Sequence, residues 1–337
     1  MKIQTKKRNH YIPKTYLEKF LNEEDNLFVY KKGEKFFNNT TPKERLLIVN
    51  GKNGLDAVGV KNNLYIPEGE FKDSKNIFED FFCEELESPY SEFINYVEAN
   101  FFNVQKILSK YHIYIINLIS SMMVRTLHYK SEIENISKVF FQHNQIINYK
   151  SNKHHIDELR SIVKNEFPEL NISRINEIVE DYLEMINKGE FEVEFPRNLF
   201  IKQMMMSMEV HYNLLSNMTI QFLRNDAQSF FITSDNPAVY FVPKGKENFY
   251  YGSKSLGGPY TELYFPLSKN LCLLLTRRKI KVLSGIPLDH TNKKIIRGIN
   301  TTIAHNSKDF IYSPYSAAFL DKFIKEKILY PFKFSIK

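Results

Sequence analysis

Tryptophan is absent from this sequence, and cysteine is nearly so, with two residues in 337. Cys83 and Cys272 lie in apolar surroundings without CxxC spacing, so neither a disulfide framework nor a zinc site built on cysteine pairs is expected. The N-terminus lacks the apolar run of a secretion signal. The longest apolar stretch, residues 113–124, is shorter than the ~20 residues that span a membrane. We therefore expect a cytoplasmic protein without a membrane partner.

Several catalytic signatures are missing as well. The sequence contains no Walker A, GxGxxG, HExxH or GxSxG motif, which argues against P-loop NTPases, dinucleotide-binding dehydrogenases, zincins and α/β-hydrolases. No His/Cys cluster has zinc spacing. The spacings of HNH, GIY-YIG and PD-(D/E)xK nucleases are also not visible. Any catalytic site must therefore be assembled from residues that are distant in the sequence.

The charge is present but unevenly distributed. The net charge is +7. Residues 1–50 carry +5 and residues 276–337 carry +9, which leaves −7 for the middle. Basic ends around an acidic centre favour a polyanionic partner such as nucleic acid, although a lysine-rich composition alone also explains a basic chain. We expect one electropositive surface formed by Lys6, Lys7, Arg8, Arg277, Arg278, Lys279 and Lys281.

The periodicity of apolar residues predicts an α+β fold. Strand-like alternation occurs near both ends of the chain, at residues 26–37, 229–243, 261–278 and 309–314. Helical spacing dominates residues 75–225, with a break or kink at Pro89, and returns at 293–307. Within the helical part, Ser173 is the expected N-cap of one helix and Gly189 follows its end. We predict a single domain over 1–337, in which the N- and C-terminal portions build a mixed sheet around a large helical insertion.

Polar residues interrupt a buried strand at "FFITSDNP". Ser234, Asp235 and Asn236 follow three apolar residues abruptly, and Pro237 holds Asn236 in extended geometry. Side chains at such a strand exit are candidates for an active site. An ordinary Asx or Ser/Thr turn explains them equally well.

Three further polar residues stand at apolar positions. Arg125 lies on the apolar face of a helix near its end, where it either clamps a phosphate or carboxylate or extends toward solvent. Glu87 borders the apolar stripe of an acidic helix, and the alternative is a solvated helix face. Asn300 is polar within "IRGINTTIAHN" and is either a site residue or a satisfied structural amide.

These segments, in this order, resemble the bacterial DUF4238 domain family. The stretches that carry the resemblance are "HYIPKTYLEKF", "FFITSDNPAVYF", "LYFPLSKNLCLLL" and "FIYSP", spread over residues 9 to 314. The family label denotes a domain of unknown function, so the resemblance implies candidate positions rather than an activity. Those positions are His10, Tyr11, Pro13, Tyr16, Leu17 and Phe20 of the opening, Ser234, Asp235, Asn236 and Pro237 of the turn, and Glu87, Arg125 and Asn300.

Two classes of function remain open. The first is a phosphodiester-acting hydrolase, a nuclease of a bacterial defence or toxin system. In it His10 is the general base, Arg125 stabilises the phosphorane charge, and Asp235 with Glu87 holds a divalent metal such as Mg²⁺ or Mn²⁺. The residues assigned to binding are Tyr11, Ser234, Asn236, Asn300, Lys7, Arg8, Arg277 and Arg278. The second is a non-catalytic sensing module that binds a small ligand or nucleic acid through the same polar residues.

Overall fold

The computed structural model describes residues 8–32, 46–68, 76–151, 153–191, 195–243, 255–278 and 284–324. Helices make up 55% and strands 17%, and a large helical region separates the N- and C-terminal strands, which confirms the α+β class. The chain divides into two compact units, one formed by residues Met1–Tyr129 and Arg197–Lys337 and the other by Lys130–Pro196.

The strands of the first unit form three sheets. They are β1 (Arg8–His10), β2 (Asn26–Lys31), β3 (Leu46–Asn50), β4 (Val60–Asn62), β5 (Thr219–Asn225), β6 (Thr233–Ser234), β7 (Val239–Phe241), β8 (Glu262–Pro266), β9 (Leu271–Thr276), β10 (Ile286–Leu288) and β11 (Phe310–Ser313). The sheet of order β3-β2-β11-β6 joins the two ends of the chain, as predicted. A second sheet of order β10-β5-β9-β8-β7 comes from the C-terminal half, and among the described residues β1 and β4 form a two-stranded sheet.

The helices match the apolar periodicity with two corrections. They are α1 (Lys14–Leu17), α2 (Gly51–Gly54), α3 (Ile77–Phe81), α4 (Tyr90–Ala99), α5 (Val104–Val124), α6 (Leu127–Ser151), α7 (Lys153–Glu166), α8 (Ile172–Lys188), α9 (Arg197–Leu215), α10 (Lys293–Asn306) and α11 (Asp321–Ile324). Residues 219–225, predicted as helix, are strand β5, because their apolar side chains pack in an antiparallel ladder with β9. The N-cap of α8 is Asn171 rather than Ser173, since its side chain accepts a hydrogen bond from the Arg174 N–H.

The break at Pro89 is confirmed and takes an uncommon form. A π-helical turn over Phe82–Glu87 separates α3 from α4, and Pro89 stands at the N-cap of α4. Proline at a helix start loses no hydrogen bond. The wider turn re-aims side chains relative to a regular helix, a feature common at functional sites. Here it presents Glu87 toward the end of α5.

Helix α5 provides the core of the helical part of this unit. Its apolar residues include Ile107, Ile115, Ile119 and Met122, all buried. By length and composition the helix is long enough to cross a membrane, and 61% of its most apolar window is buried inside the protein. It is longer than the uninterrupted apolar stretch because it begins at Val104, and Val104, Ile107 and Tyr111 are also buried. The core helices of soluble proteins have the same character.

The second unit is helical. Ile175, Val179, Leu183 and Ile186 form one buried stripe of α8 at three- and four-residue spacing, and α8 packs on α7. Gly189 ends α8 in the left-handed conformation, with φ +69°, as a C-terminal glycine commonly does. This confirms the end predicted for that helix.

Candidate functional site

The N-terminal strand is fixed by a glycine. The Tyr11 N–H donates to the Gly59 carbonyl at 2.8 Å, and Gly59 has φ +65°. A Cβ at Gly59 would come within 2.9 Å of the Ile12 Cβ and 3.0 Å of its carbonyl oxygen. Only glycine tolerates both the backbone angle and this approach. The residues before Pro13 are thereby held extended against β4, which positions His10.

Arg125 lies at the C-terminal cap of α5 and is fully buried. Its Nη2 donates to the Glu87 Oε1 at 2.8 Å and to the backbone carbonyl of His10. The guanidinium carbon lies 4.4 Å from the centre of the Phe82 ring, an attractive cation–π contact. The Tyr65 hydroxyl donates to the Arg125 carbonyl oxygen at 2.6 Å. A buried charge with this support is rigidly oriented.

Two nitrogens of this guanidinium are unused. Arg125 Nε and Nη1 are buried and have no hydrogen-bond partner among the described residues. His10 Nε2, on the residue that Arg125 contacts, is likewise buried without a partner. An unpaired buried polar atom costs about 1–3 kcal/mol, so native proteins rarely leave several together. Three such atoms lie on two adjoining residues here.

Burial and the charge of Glu87 act in opposite directions on the pKa of His10. Burial lowers its pKa below the usual value, while the carboxylate of Glu87 raises it and Arg125 lowers it. The net lowering favours a neutral imidazole at pH 7. A neutral imidazole can accept a proton, which is what a general base requires.

Glu79 joins this cluster although the sequence analysis missed it. Its Oε2 accepts a hydrogen bond from Asn9 Nδ2 at 3.2 Å. Burial raises the pKa of Glu79, against opposing contributions from Arg125, Asn9 and the His10 backbone N–H. A signal was present: Glu79 stands three residues before Phe82 and seven before Leu86, on the same apolar stripe as both. We name His10, Glu79, Glu87 and Arg125 the His10 cluster.

Asp235 is not a member of the His10 cluster. Its Oδ1 accepts from the Lys308 N–H at 2.8 Å, and its Oδ2 accepts from the N–H groups of Asp309 at 2.6 Å and Phe310 at 3.0 Å. These bonds tie the turn after β6 to the start of β11. Burial nevertheless raises the pKa of Asp235 to about 6. The carboxyl group therefore serves the backbone of another strand rather than His10, with which it forms no hydrogen bond.

The neighbours of Asp235 are engaged in the same way. Ser234 Oγ donates to the Asn236 carbonyl at 2.9 Å and accepts the Asn236 N–H at 3.1 Å, which is a Ser/Thr turn. Asn236 Nδ2 donates to the Asn306 carbonyl at the end of α10. Asn300 accepts the Ile232 N–H at 3.1 Å and donates to the Phe230 carbonyl at 2.8 Å. We call residues 233–237 the TSDNP turn; with Asn300, its polar groups hold strands and helix together.

The opening segment and the TSDNP turn do lie side by side. The Tyr16 hydroxyl pairs with Thr233 Oγ1 at 2.7 Å and donates to the Pro266 carbonyl at 2.7 Å. Burial first, and the charge of Asp235 second, raise the pKa of Tyr11, which also bonds to Tyr312. The contact is thus made by Tyr11 and Tyr16, while His10 faces Arg125 and Glu87.

The basic residues proposed for binding have differing surroundings. Arg8 Nη2 donates to the Asp56 carbonyl at 2.9 Å. Arg277 Nη2 donates to the carbonyls of Leu214 and Leu256, and Arg278 pairs with Glu262 at 3.0 Å. Lys6, Lys7, Lys279 and Lys281 lie outside the described residues. Arg277 is therefore a structural group, and Arg278 is an exposed, paired one.

The two carboxylates assigned to a metal do not fit one. Both Asp235 oxygens accept backbone N–H groups, and Glu87 is paired with a guanidinium, which repels a cation. Within the described ranges no group of three His, Cys, Asp or Glu side chains could hold a metal ion. Arg125 is the member of the His10 cluster that instead suits an anion.

Comparison with known proteins identifies the family alone. No curated protein and no solved structure matches the chain. The family described as "Protein of unknown function (DUF4238)" matches residues 8–316, nearly the whole chain. The opening that contains His10 and the strand that follows the TSDNP turn both fall within this match. The chain therefore belongs to the DUF4238 family.

Proposed function

We propose that this protein binds a phosphodiester at the His10 cluster and cleaves it. The observation that carries the proposal is the set of three unpartnered buried nitrogens, His10 Nε2 with Arg125 Nε and Nη1. Nε and Nη1 lie on opposite edges of the guanidinium, and each shares an edge with Nη2. A phosphate that takes the place of Glu87 on Nη2 can therefore also accept from one of them in a planar, two-bond geometry. The same phosphate would bring a reacting hydroxyl within reach of a neutral imidazole.

Each member of the cluster has one role in this proposal. His10 accepts the proton of the attacking hydroxyl. Arg125 stabilises the negative charge that develops on the phosphorane. Glu87 holds the guanidinium in place and neutralises it before substrate arrives. No step passes through Asp235, whose oxygens are committed to residues 308–310.

Glu87 also controls access to Arg125. The Arg125 side chain is fully buried, whereas the Glu87 side chain is 16% exposed. Glu87 therefore lies on the solvent side of the ion pair. A phosphate that enters replaces the carboxylate on the guanidinium, so substrate competes with an internal anion.

A second candidate function also rests on the burial of the Arg125 side chain. A guanidinium with no solvent exposure suits a module that encloses a small anionic ligand and does not turn it over. In that case the three nitrogens hold the ligand, and His10 is a hydrogen-bond donor or acceptor only. Binding of a phosphate compound without release of product would favour this second function.

The proposed setting is a bacterial defence or toxin system in the cytoplasm, with nucleic acid as the partner. The support for nucleic acid is the basic charge of the two chain ends, +5 and +9.

The test is cleavage of generic RNA and DNA oligonucleotides by the purified full chain, in EDTA and in Mg²⁺ or Mn²⁺. We expect cleavage in EDTA. Arg125→Lys should reduce the rate by about 100-fold or more, because lysine keeps the charge but loses the guanidinium edge. Arg174→Lys, an exposed arginine of α8, is the matched control and should not change the rate. Absence of cleavage under all conditions would refute the enzyme, and phosphate binding measured by calorimetry would then support the binding module.

A further inference from the structure

The His10 cluster contains one carboxyl group that the proposed reaction leaves without a role. Glu79 accepts from Asn9 Nδ2 and interacts with the backbone N–H of His10. The carbonyl of the same residue, His10, accepts from Arg125 Nη2. The backbone of one residue thus holds both a carboxyl group and a guanidinium beside its own imidazole. A base, an acid and a cation are assembled around a single position of the chain.

Resting on the proposed function, we propose that the substrate is RNA and that Glu79 is the general acid of an internal transesterification. His10 Nε2 takes the proton of the ribose 2′-hydroxyl, and the 2′-oxygen forms a bond to phosphorus. The bond from phosphorus to the 5′-oxygen breaks, and that oxygen receives the proton of the Glu79 carboxyl group. The products are a 2′,3′-cyclic phosphate and a 5′-hydroxyl end, with no water or other co-reactant consumed.

RNA is favoured because it supplies its own nucleophile. The 2′-hydroxyl is adjacent to the phosphate, so a site needs only a base, an acid and a stabiliser of charge. DNA requires a water that must be held in place as well as activated, and the carboxylates that could hold one are engaged elsewhere: Asp235 by the backbone, and Glu87 by Arg125. The groups of the His10 cluster therefore match RNA, whose ribose carries the reacting 2′-hydroxyl.

The protonation states of the pair agree with these roles. Burial raises the pKa of Glu79 and lowers that of His10, which moves the acid toward its protonated form and the base toward its neutral form at pH 7. The charged groups that act on His10 are Glu87, Arg125, Asp56 and Arg8, and those that act on Glu79 are Arg125 and Glu87. If the two pKa shifts were reversed, Glu79 would be ionised and His10 would be protonated at pH 7, and neither could take its proposed role.

The first test compares a single-stranded RNA oligonucleotide with the same sequence in all-deoxy form, using the full wild-type chain in EDTA. We expect RNA to be cut to 2′,3′-cyclic phosphate and 5′-hydroxyl ends, and the deoxy strand to be cut at least about 100-fold more slowly. Equal cleavage of both strands, or products with 5′-phosphate ends, would overturn the RNA inference and leave the phosphodiester function standing. Cleavage of neither strand would overturn both.

The second test assigns the acid. Glu79→Gln keeps an acceptor for Asn9 but has no acidic proton, and should lower the rate by about 100-fold. It should also remove the alkaline limb of the pH–rate profile. An RNA whose 5′-oxygen is replaced by sulfur at the scissile bond has a leaving group that needs no acid, and should restore the rate of Glu79→Gln but not that of His10→Ala. Glu84→Gln, on the exposed side of the π-helical turn, is the control. Failure of the sulfur substrate to restore Glu79→Gln would assign Glu79 a structural role.

Discussion

The TSDNP turn and the His10 cluster are both polar, both wholly or partly buried and both in the first unit of the chain, yet their hydrogen bonds differ. In the turn, Asp235 alone accepts three backbone N–H groups. In the cluster, three nitrogens of His10 and Arg125 have no partner among the described residues. A satisfied buried group stabilises the fold, whereas an unsatisfied one costs free energy until something binds. This difference is the reason that we propose the function at the His10 cluster rather than at the TSDNP turn.

The largest effect should come from removing the centre of the turn. Asp235→Ala leaves the half-buried N–H groups of residues 308–310 without their acceptor, which should lower the free energy of unfolding by about 3 kcal/mol. Urea denaturation followed by circular dichroism measures it. The exposed Asp181→Ala should change stability by about 0.5 kcal/mol or less. A small effect of Asp235→Ala would show that the turn is not the structural member of the comparison.

The opposite pattern is expected for His10→Ala. Its side chain makes no hydrogen bond through Nε2, and its contact with Arg125 uses the backbone carbonyl, which alanine retains. Loss of the side chain should therefore cost about 1 kcal/mol or less of stability. Activity should fall by about 100-fold or more.

The control is His290→Ala, at an exposed histidine, assayed for rate and denaturation midpoint alongside. A large fall in stability together with the loss of activity would make His10 a structural histidine and erase the contrast between the two regions.

The fold was predictable wherever a local sequence pattern determines the secondary structure. The hairpin of β8 and β9 turns at residues 268–270 as predicted, because Ser268 Oγ accepts the N–H groups of Asn270 and Leu271 within the turn itself. Helix α10 and strand β11 follow from local periodicity in the same way. Strand β5 was missed because its apolar residues continue directly from α9, and only pairing with β9 distinguishes strand from helix there.

The site was harder to predict. Whether the hydrogen bonds of a buried polar group are satisfied depends on residues that are distant in the sequence. The partners of Asp235 are 73 to 75 residues away in the sequence, so nothing near the motif indicated that its oxygens are occupied. Arg125 and Glu87 were recognisable as charged residues beside apolar stripes, and the structure places them together. Glu79 had the same spacing signal, yet it was not singled out from the sequence.

Stability as a function of pH gives a sharper view of the turn. The pKa of Asp235 in the folded protein is about 6, against 3.8 for an ordinary aspartate. From about pH 4 to 6 the native state holds a proton on Asp235 that the unfolded chain has released. The stability that this bound proton contributes is therefore lost as the pH rises through that window. The difference in unfolding free energy between wild type and Asp235→Asn should fall by about 2 kcal/mol across it. A difference that rises with pH would mean that the three donors outweigh burial.

A smaller effect should separate Glu87 from its neighbours in the cluster. Glu87→Gln removes the internal anion that covers Arg125, and should tighten binding of inorganic phosphate by about 10-fold. Calorimetric titration of the full chain measures this. Glu85→Gln, at an exposed position of the same π-helical turn, should leave affinity unchanged. Weaker phosphate binding by Glu87→Gln would mean that the carboxylate orients the guanidinium more than it competes with the ligand.

The smallest effect concerns the basic residues outside both regions. Arg278 is 54% exposed and pairs with Glu262 on the surface, whereas Arg277 donates to the carbonyls of Leu214 and Leu256. If Arg278 contacts a phosphate, Arg278→Ala should reduce the slope of log affinity against log salt by about 0.7 to 0.9, the effect of a single released counterion. Arg277→Ala should instead lower stability and leave the slope unchanged. The measurement is oligonucleotide binding over a salt series, with Arg174→Ala as the surface control. A slope that is unchanged in Arg278→Ala would place the nucleic-acid contacts elsewhere, because a paired surface arginine that touches no phosphate releases no counterion when the strand binds.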